Sequence, residues 1–315
     1  MTEAARLQKL LRGLAIGCLV LLLAISTLSA FLRLTRAGLG CDDWPQCYGQ
    51  ALAAQQRGEG DTFVEQPLVL AARFAHRIAA SAALLVIVLM LWIASSIRPR
   101  VRRAVVLAAL LLVLAVMLAV LGRWSGGARV PAVAIGNLAG GLLMIALCWQ
   151  LARAPGGADP IRRATALRVA FGAAACMLLL QIASGAMVSA GYGGRACPDL
   201  WTCDAHGLSW RALDPFVAPR LSGAGFGNPD GAVLQQGHRL GAVAVALLLA
   251  PLALAAWRLG ARLEALLVLG LLVAQGALGA SLVAFGLPLP LALIHSLVSG
   301  VFLAACLDLA LARPP

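Results

Sequence analysis

Eight stretches of about 20 apolar residues divide this chain, near 11–32, 68–96, 104–123, 130–151, 166–190, 232–256, 263–285 and 288–311. Runs of that length mark bilayer spans, and within hydrocarbon a lone segment satisfies its backbone N–H and C=O groups by closing an α-helix. The second stretch is long enough to tilt or to pass beyond the headgroups. An apolar content of 61% and a mean hydropathy of +0.90 exclude an ordinary soluble domain. Only two long polar segments intervene, 33–67 and 191–231. The other connections are short, so the expected fold is all-α, with eight transmembrane helices in one compact bundle.

The net charge of +12 does not point to nucleic acid. Basic residues gather at Arg6/Lys9/Arg12, Arg98/Arg100/Arg102/Arg103, Arg153/Arg162/Arg163, Arg258/Arg262 and Arg313. These are alternate helix ends, the pattern of the positive-inside rule. Both termini are therefore expected in the cytoplasm, with both long loops facing outward. The first apolar stretch lacks a clear small-residue cleavage site and reads as a retained span, not a signal peptide.

A module recurs along the chain. Cys41 and Cys47, with five residues between them in a polar loop, precede His76-Arg77 in an apolar stretch; Cys197 and Cys203 precede His238-Arg239 in the same way. The halves align as two four-helix bundles, 1–151 and 166–315, joined by a cytoplasmic linker at 152–165 that contains Pro155-Gly156-Gly157 and Pro160. A parallel repeat of this kind implies a pseudo-twofold axis along the membrane normal. Cys18, Cys148, Cys176 and Cys306 lie in apolar stretches and read as small hydrophobes. The loop cysteines face an oxidising side, where disulfides form. A metal pair or redox dithiol is the alternative, but no neighbouring histidine completes a zinc-like set in the first loop. His206 beside Cys203 reads as a solvated loop histidine. The disulfide reading is favoured.

Helix rise places His76, His238 and His295 roughly 10 Å below the outer surface. His238 and His295 can then face each other at one level, and two neutral imidazoles on facing helices are a common heme-iron ligand set. Arg239, and Arg77 in the matching place, are candidates to meet a heme propionate. Hydrogen bonding between helices is the plainer reading of such residues, yet intramembrane ionisable groups are functional by default. A transporter built on a parallel repeat is disfavoured, since the ionisable residues lie near the outer face and not at midplane. The counterpart of His295 in the first half, after Pro131, is Asn137, which lacks an imidazole. Gly136 and Gly140 beside it fit a small-residue helix contact.

The run Arg33-Leu-Thr-Arg-Ala-Gly-Leu-Gly-Cys41-Asp-Asp-Trp-Pro-Gln-Cys47-Tyr-Gly49, His76-Arg77, Ala183-Ser-Gly-Ala-Met-Val-Ser189, the second cysteine pair, His238-Arg239 and His295 resemble the heme A synthase family. The likeness covers nearly the whole chain. It implies an eight-helix bacterial inner-membrane protein of two four-helix halves, with heme b between His238 and His295. It also implies a first half that takes heme O as substrate, with His76 as a ligand there. The C8 methyl of heme O would be oxidised to the formyl of heme A by two successive hydroxylations and loss of water. A membrane quinol or a ferredoxin-type donor would supply electrons, and heme O synthase and cytochrome oxidase assembly factors would be partners. The first-loop cysteines would form a functional disulfide. The chain departs from the family at two places: Arg73 stands where members carry a Glu one turn before His76, and Asn137 replaces a histidine. Glu65 lies roughly 16 Å up the helix from His76 and does not substitute for that Glu. A carboxylate beside a substrate can take up a proton, whereas Arg73 favours a propionate or another anion. These departures motivate an alternative, a non-catalytic heme b-binding paralogue in electron transfer or oxidase assembly.

Overall fold

The computed structural model describes residues 2–58, 66–99, 101–125, 130–153, 164–203, 209–221, 228 and 230–311. Glu65, His206 and most of the expected linker (154–163) lie outside the described residues. Eight long helices are each apolar enough to cross a membrane: α1 (Glu3–Arg36), α3 (Pro67–Ser96), α4 (Arg102–Ser125), α5 (Pro131–Ala152), α6 (Thr165–Ala190), α7 (Gly231–Arg258), α8 (Arg262–Ala284) and α9 (Leu289–Ala310). A short helix, α2 (Gln50–Gln56), lies in the first long loop. No strand occurs among the described residues.

The expected spans hold, and the differences are at their ends. Helix α1 begins eight residues before the apolar run, because hydropathy marks where a helix is buried and not where it is hydrogen-bonded. Its start is capped by the Thr2 hydroxyl, which accepts from the Ala5 N–H at 3.4 Å, with Glu3 in the first turn. Proline opens α3 and α5 and lies within the first turn of α9, where its missing N–H has no intrahelical partner to lose. Helix α2 is too short for a hydropathy signal. It forms on an Ala/Gln-rich segment and is docked by Gln56, which donates to the Pro219 carbonyl at 2.8 Å.

Helix neighbours form two rings. In the first, α1 packs on α3, α3 on α4, α4 on α5, and α5 back on α1; α6, α7, α8 and α9 close a second ring in the same order. The rings meet where α5 packs on α9 and α6, and α1 on α9. One continuous apolar core runs through both, and it lies in the inward halves of the helices. It includes Leu22, Ile87, Met90, Leu111, Leu142, Ile145, Phe171, Leu249, Val268 and Phe302.

The outer ends are interlocked. Trp44 of the first loop donates to the Gly286 carbonyl at 3.2 Å, and the Tyr48 hydroxyl accepts from the Gly194 N–H at 3.2 Å. In return, Pro215 of the second loop accepts from the Ala132 N–H at 2.8 Å, at the start of α5. A small outer core of Leu34, Ala37, Leu39 and Tyr48 is packed by Tyr192, Leu287 and Leu289. The Arg195 guanidinium stacks 5.5 Å from the Trp44 ring centroid. Burial of the Tyr48 phenol, which lies outside the spans, raises its pKa well above the ordinary value, so it remains a neutral hydrogen-bonding group.

Candidate functional site: two histidines across a helix ring

His238 on α7 and His295 on α9 occupy diagonal corners of the second ring, within electrostatic range of one another. The remaining corners, α6 and α8, each supply a glutamine to the nearest histidine. Gln181 Nε2 donates to the His238 carbonyl at 2.7 Å and stands 3.0 Å from its Nδ1. Ser184 Oγ lies 2.8 Å from the same nitrogen. On the other side, Gln275 Nε2 lies 3.2 Å from His295 Nε2, donates to the His295 carbonyl at 3.2 Å, and reaches Ser299 Oγ at 2.8 Å. The Ser299 hydroxyl in turn donates to the His295 carbonyl at 2.9 Å.

Glycine lets each ring lie against its neighbouring helix. A Cβ at Gly185 would come within 2.9 Å of His238 Cε1, and one at Gly279 within 3.4 Å of His295 Cε1. Gln181-x-x-x-Gly185 and Gln275-x-x-x-Gly279 are thus one device used twice. This is a signal the sequence reading passed over, since it repeats one helix upstream of each histidine. His238 and His295 are half-buried, and so are Leu291–Leu293 and Ser296–Val298 around the latter, whereas Ser299 and Gly300 are buried. Side-chain packing is therefore tighter below His295 than around it.

Arg239, the residue after His238, donates from Nη1 to the Leu200 carbonyl at 3.1 Å, which ties it to the second cysteine loop. Its Nε and Nη2 are buried with no partner among the described residues, and so is His295 Nδ1. Asp199 in that loop accepts from the N–H groups of Trp201 and Thr202 at 2.7 and 2.6 Å. The hydrogen bond from the Thr202 hydroxyl, those from the two amides and the nearby Arg239 charge hold the Asp199 carboxyl below the usual range. The sulfurs of Cys197 and Cys203 lie at bonding separation, with Cα atoms 4.7 Å apart. Those of Cys41 and Cys47 do too, with Cα atoms 6.6 Å apart. No group of three His, Cys, Asp or Glu side chains able to hold a metal ion occurs among the described residues.

The fit to a heme is good in this ring. Two opposed imidazoles are available, a cradle of glycines flanks them, and a partly unpartnered buried guanidinium sits at the outer rim, where a carboxylate would neutralise it. The first ring has the corresponding corners but a different set of residues. His76 and Arg73 lie one turn apart on α3, both half-buried, and Asn137 is half-buried on the diagonal helix α5. Arg77 is exposed beside them, within electrostatic range of His76. Gly136 and Gly140 face α4 instead, where an added Cβ would lie 2.7 Å from Leu121 and Leu118 respectively. They set helix packing, as the small-residue spacing implied.

Residues 12–307 match the family of cytochrome oxidase assembly proteins COX15-CtaA. A heme A synthase from Shewanella oneidensis is 30% identical over 257 residues, covering 75% of this chain and 76% of that protein. A match over nearly the full length, on a fold that brings His238 and His295 to one ring, identifies the chain as a member of the heme A synthase family of cytochrome oxidase assembly proteins.

Proposed function

We propose that the chain is a membrane oxidoreductase of heme A biosynthesis that oxidises the C8 methyl of heme O to a formyl group. The observation that carries this reading is the opposed pair His238 and His295, each braced by a glutamine, in a protein of this family. These two imidazoles would hold heme b, and the free Arg239 N–H groups would bind a propionate. When bound, heme b supplies one-electron transfer between an external donor, a quinol or a ferredoxin-type protein, and the substrate ring.

Heme O would enter the first ring, with His76 as the ligand, Arg73 pairing with an anionic group, and Arg77 at the rim. Asn137 contributes an amide donor and acceptor in place of a second ligand. Residues 1–151 and 166–315 would act as pseudo-twofold-related substrate and cofactor halves in a bacterial inner membrane. Both termini would be cytoplasmic, with heme O synthase and oxidase assembly factors as partners. The two disulfides would brace the outer loops. A second reading, a heme b-binding paralogue without catalysis, is favoured by one observation: Arg73 and Asn137 leave the first ring with neither a carboxylate one turn from His76 nor a second imidazole.

The test is the heme content of the protein purified from a host that makes heme O. Heme A absent from a vector-only control supports the synthase. Heme B with untouched heme O supports the paralogue.

A further inference from the structure

We propose that Ser184 fixes the tautomer of His238 and thereby makes the two ligands of the cofactor ring unequal. The proposal rests on His238 ligating heme b, and Ser184 acts as a positioning residue. A neutral imidazole has one donor nitrogen and one acceptor nitrogen, and only the nitrogen without the proton can bind iron. Two neighbours compete for His238 Nδ1: the Gln181 amide at 3.0 Å and the Ser184 hydroxyl at 2.8 Å. Were Nδ1 to accept from Gln181, the proton would sit on Nε2 and His238 would offer no lone pair across the ring.

The surrounding bonds decide otherwise. Gln181 Nε2 gives one of its two N–H groups to the His238 carbonyl at 2.7 Å, and its approach to Nδ1 is longer than that of the Ser184 hydroxyl. Ser184 directs its proton to the Gln181 carbonyl at 2.8 Å, which leaves its oxygen as an acceptor facing Nδ1. The chain therefore runs from His238 Nδ1–H to Ser184 Oγ, and from the Ser184 O–H to the Gln181 carbonyl. Nε2 keeps its lone pair. A ligand histidine that donates through its other nitrogen is a stronger base and favours oxidised iron.

His295 has no such acceptor. The two segments read Gln181-Ile-Ala-Ser184-Gly185 and Gln275-Gly-Ala-Leu278-Gly279, so a leucine stands at the serine's place. The Ser299 hydroxyl is directed to a backbone carbonyl, and His295 Nδ1 is buried without a partner among the described residues. Glutamine and glycine are repeated; the hydroxyl is not.

The test compares S184T and S184V, which match in shape and differ in the hydroxyl, in the full-length protein carrying heme b. The readouts are the heme midpoint potential and the low-spin ferric electron paramagnetic resonance spectrum. S184T is expected to match the parent, and S184V to shift to a more positive potential with altered g values. Loss of heme in S184V alone also supports the proposal. Equal potentials and spectra for the two variants overturn it. If neither β-branched variant retains heme, S184A decides by the same criterion against the parent. A parent protein without a b-type heme, or one whose b-type spectrum survives H238A, would instead remove the reading on which the proposal rests.

Discussion

At the scale of single residues, the chemistry depends on which polar atoms are already satisfied. His238 Nδ1 lies beside the Ser184 hydroxyl and the Gln181 amide, His295 Nε2 lies beside the Gln275 amide, and the guanidinium of Arg239 is only partly engaged. H238A is expected to abolish the b-type absorption spectrum, and an unchanged spectrum would remove it as a ligand. Asp199 gives a prediction with a defined pH sign. Its folded-state carboxyl is depressed, so the loop order it contributes is present above the usual carboxylate pKa and is lost as pH falls through the depressed value. Hydrogen exchange at the Trp201 and Thr202 amides should therefore be slow near neutrality, relative to D199A, and the difference should vanish in acid. His76, His238 and the cysteine pairs were legible because they recur in register, and His295 because it is ionisable inside an apolar run. Ser184 was not, because a lone polar residue in an apolar run shows its use only once a partner from another helix is beside it, whereas the two glutamines carry their signal in the Gln-x-x-x-Gly repeat.

Helices α6 and α8 act as braces for the ligand-bearing helices, and their design is a face of small and amide side chains. Of the two glycines against the histidine rings, Gly185 is the tighter. G185A would set a methyl 2.9 Å from the His238 ring, which must rotate or retreat, since neither backbone can move far in a packed ring. The expected outcome is loss of heme b, or conversion from the low-spin form, read by absorption of the purified protein. G270A, on α8 where an added Cβ meets nothing within 4 Å, is the control expected to leave the spectrum unchanged. The eight spans were readable from hydropathy, since bilayer thickness imposes their length. The polar extension of α1 and the existence of α2 were not, because the first rests on the Thr2 cap and the second on the contact of Gln56 with the distant second loop.

For the molecule as a whole, the end of the bundle away from the cysteine loops carries a polar clamp that composition alone reads only as topology. Arg103 donates to buried Gln150 Oε1 at 2.6 Å, and Gln150 Nε2 donates to Asp308 at 3.1 Å. Arg153 pairs with the same carboxylate. This joins α4, α5 and α9, and so joins the two rings. D308A strands the Gln150 amide and should cost about 1–3 kcal/mol, seen as a lower Tm in detergent. Arg153 and Asp308 are 155 residues apart, beyond any local pattern. Arg153 therefore looked like one more positive-inside charge, although it also has a specific partner.

The outer loops carry the last consequence. Each loop is covalently part of one ring but hydrogen-bonds to the other, Trp44 to Gly286 and Ala132 to Pro215, so the peptide bond between the rings is not what keeps them together. A protease site placed within 154–163, cut after assembly, should leave two fragments that co-purify on a single affinity tag. The same halves made as separate genes should reconstitute only when both are present, because neither supplies its own lid. By this exchange of covers each ring is closed by a loop that belongs to the other.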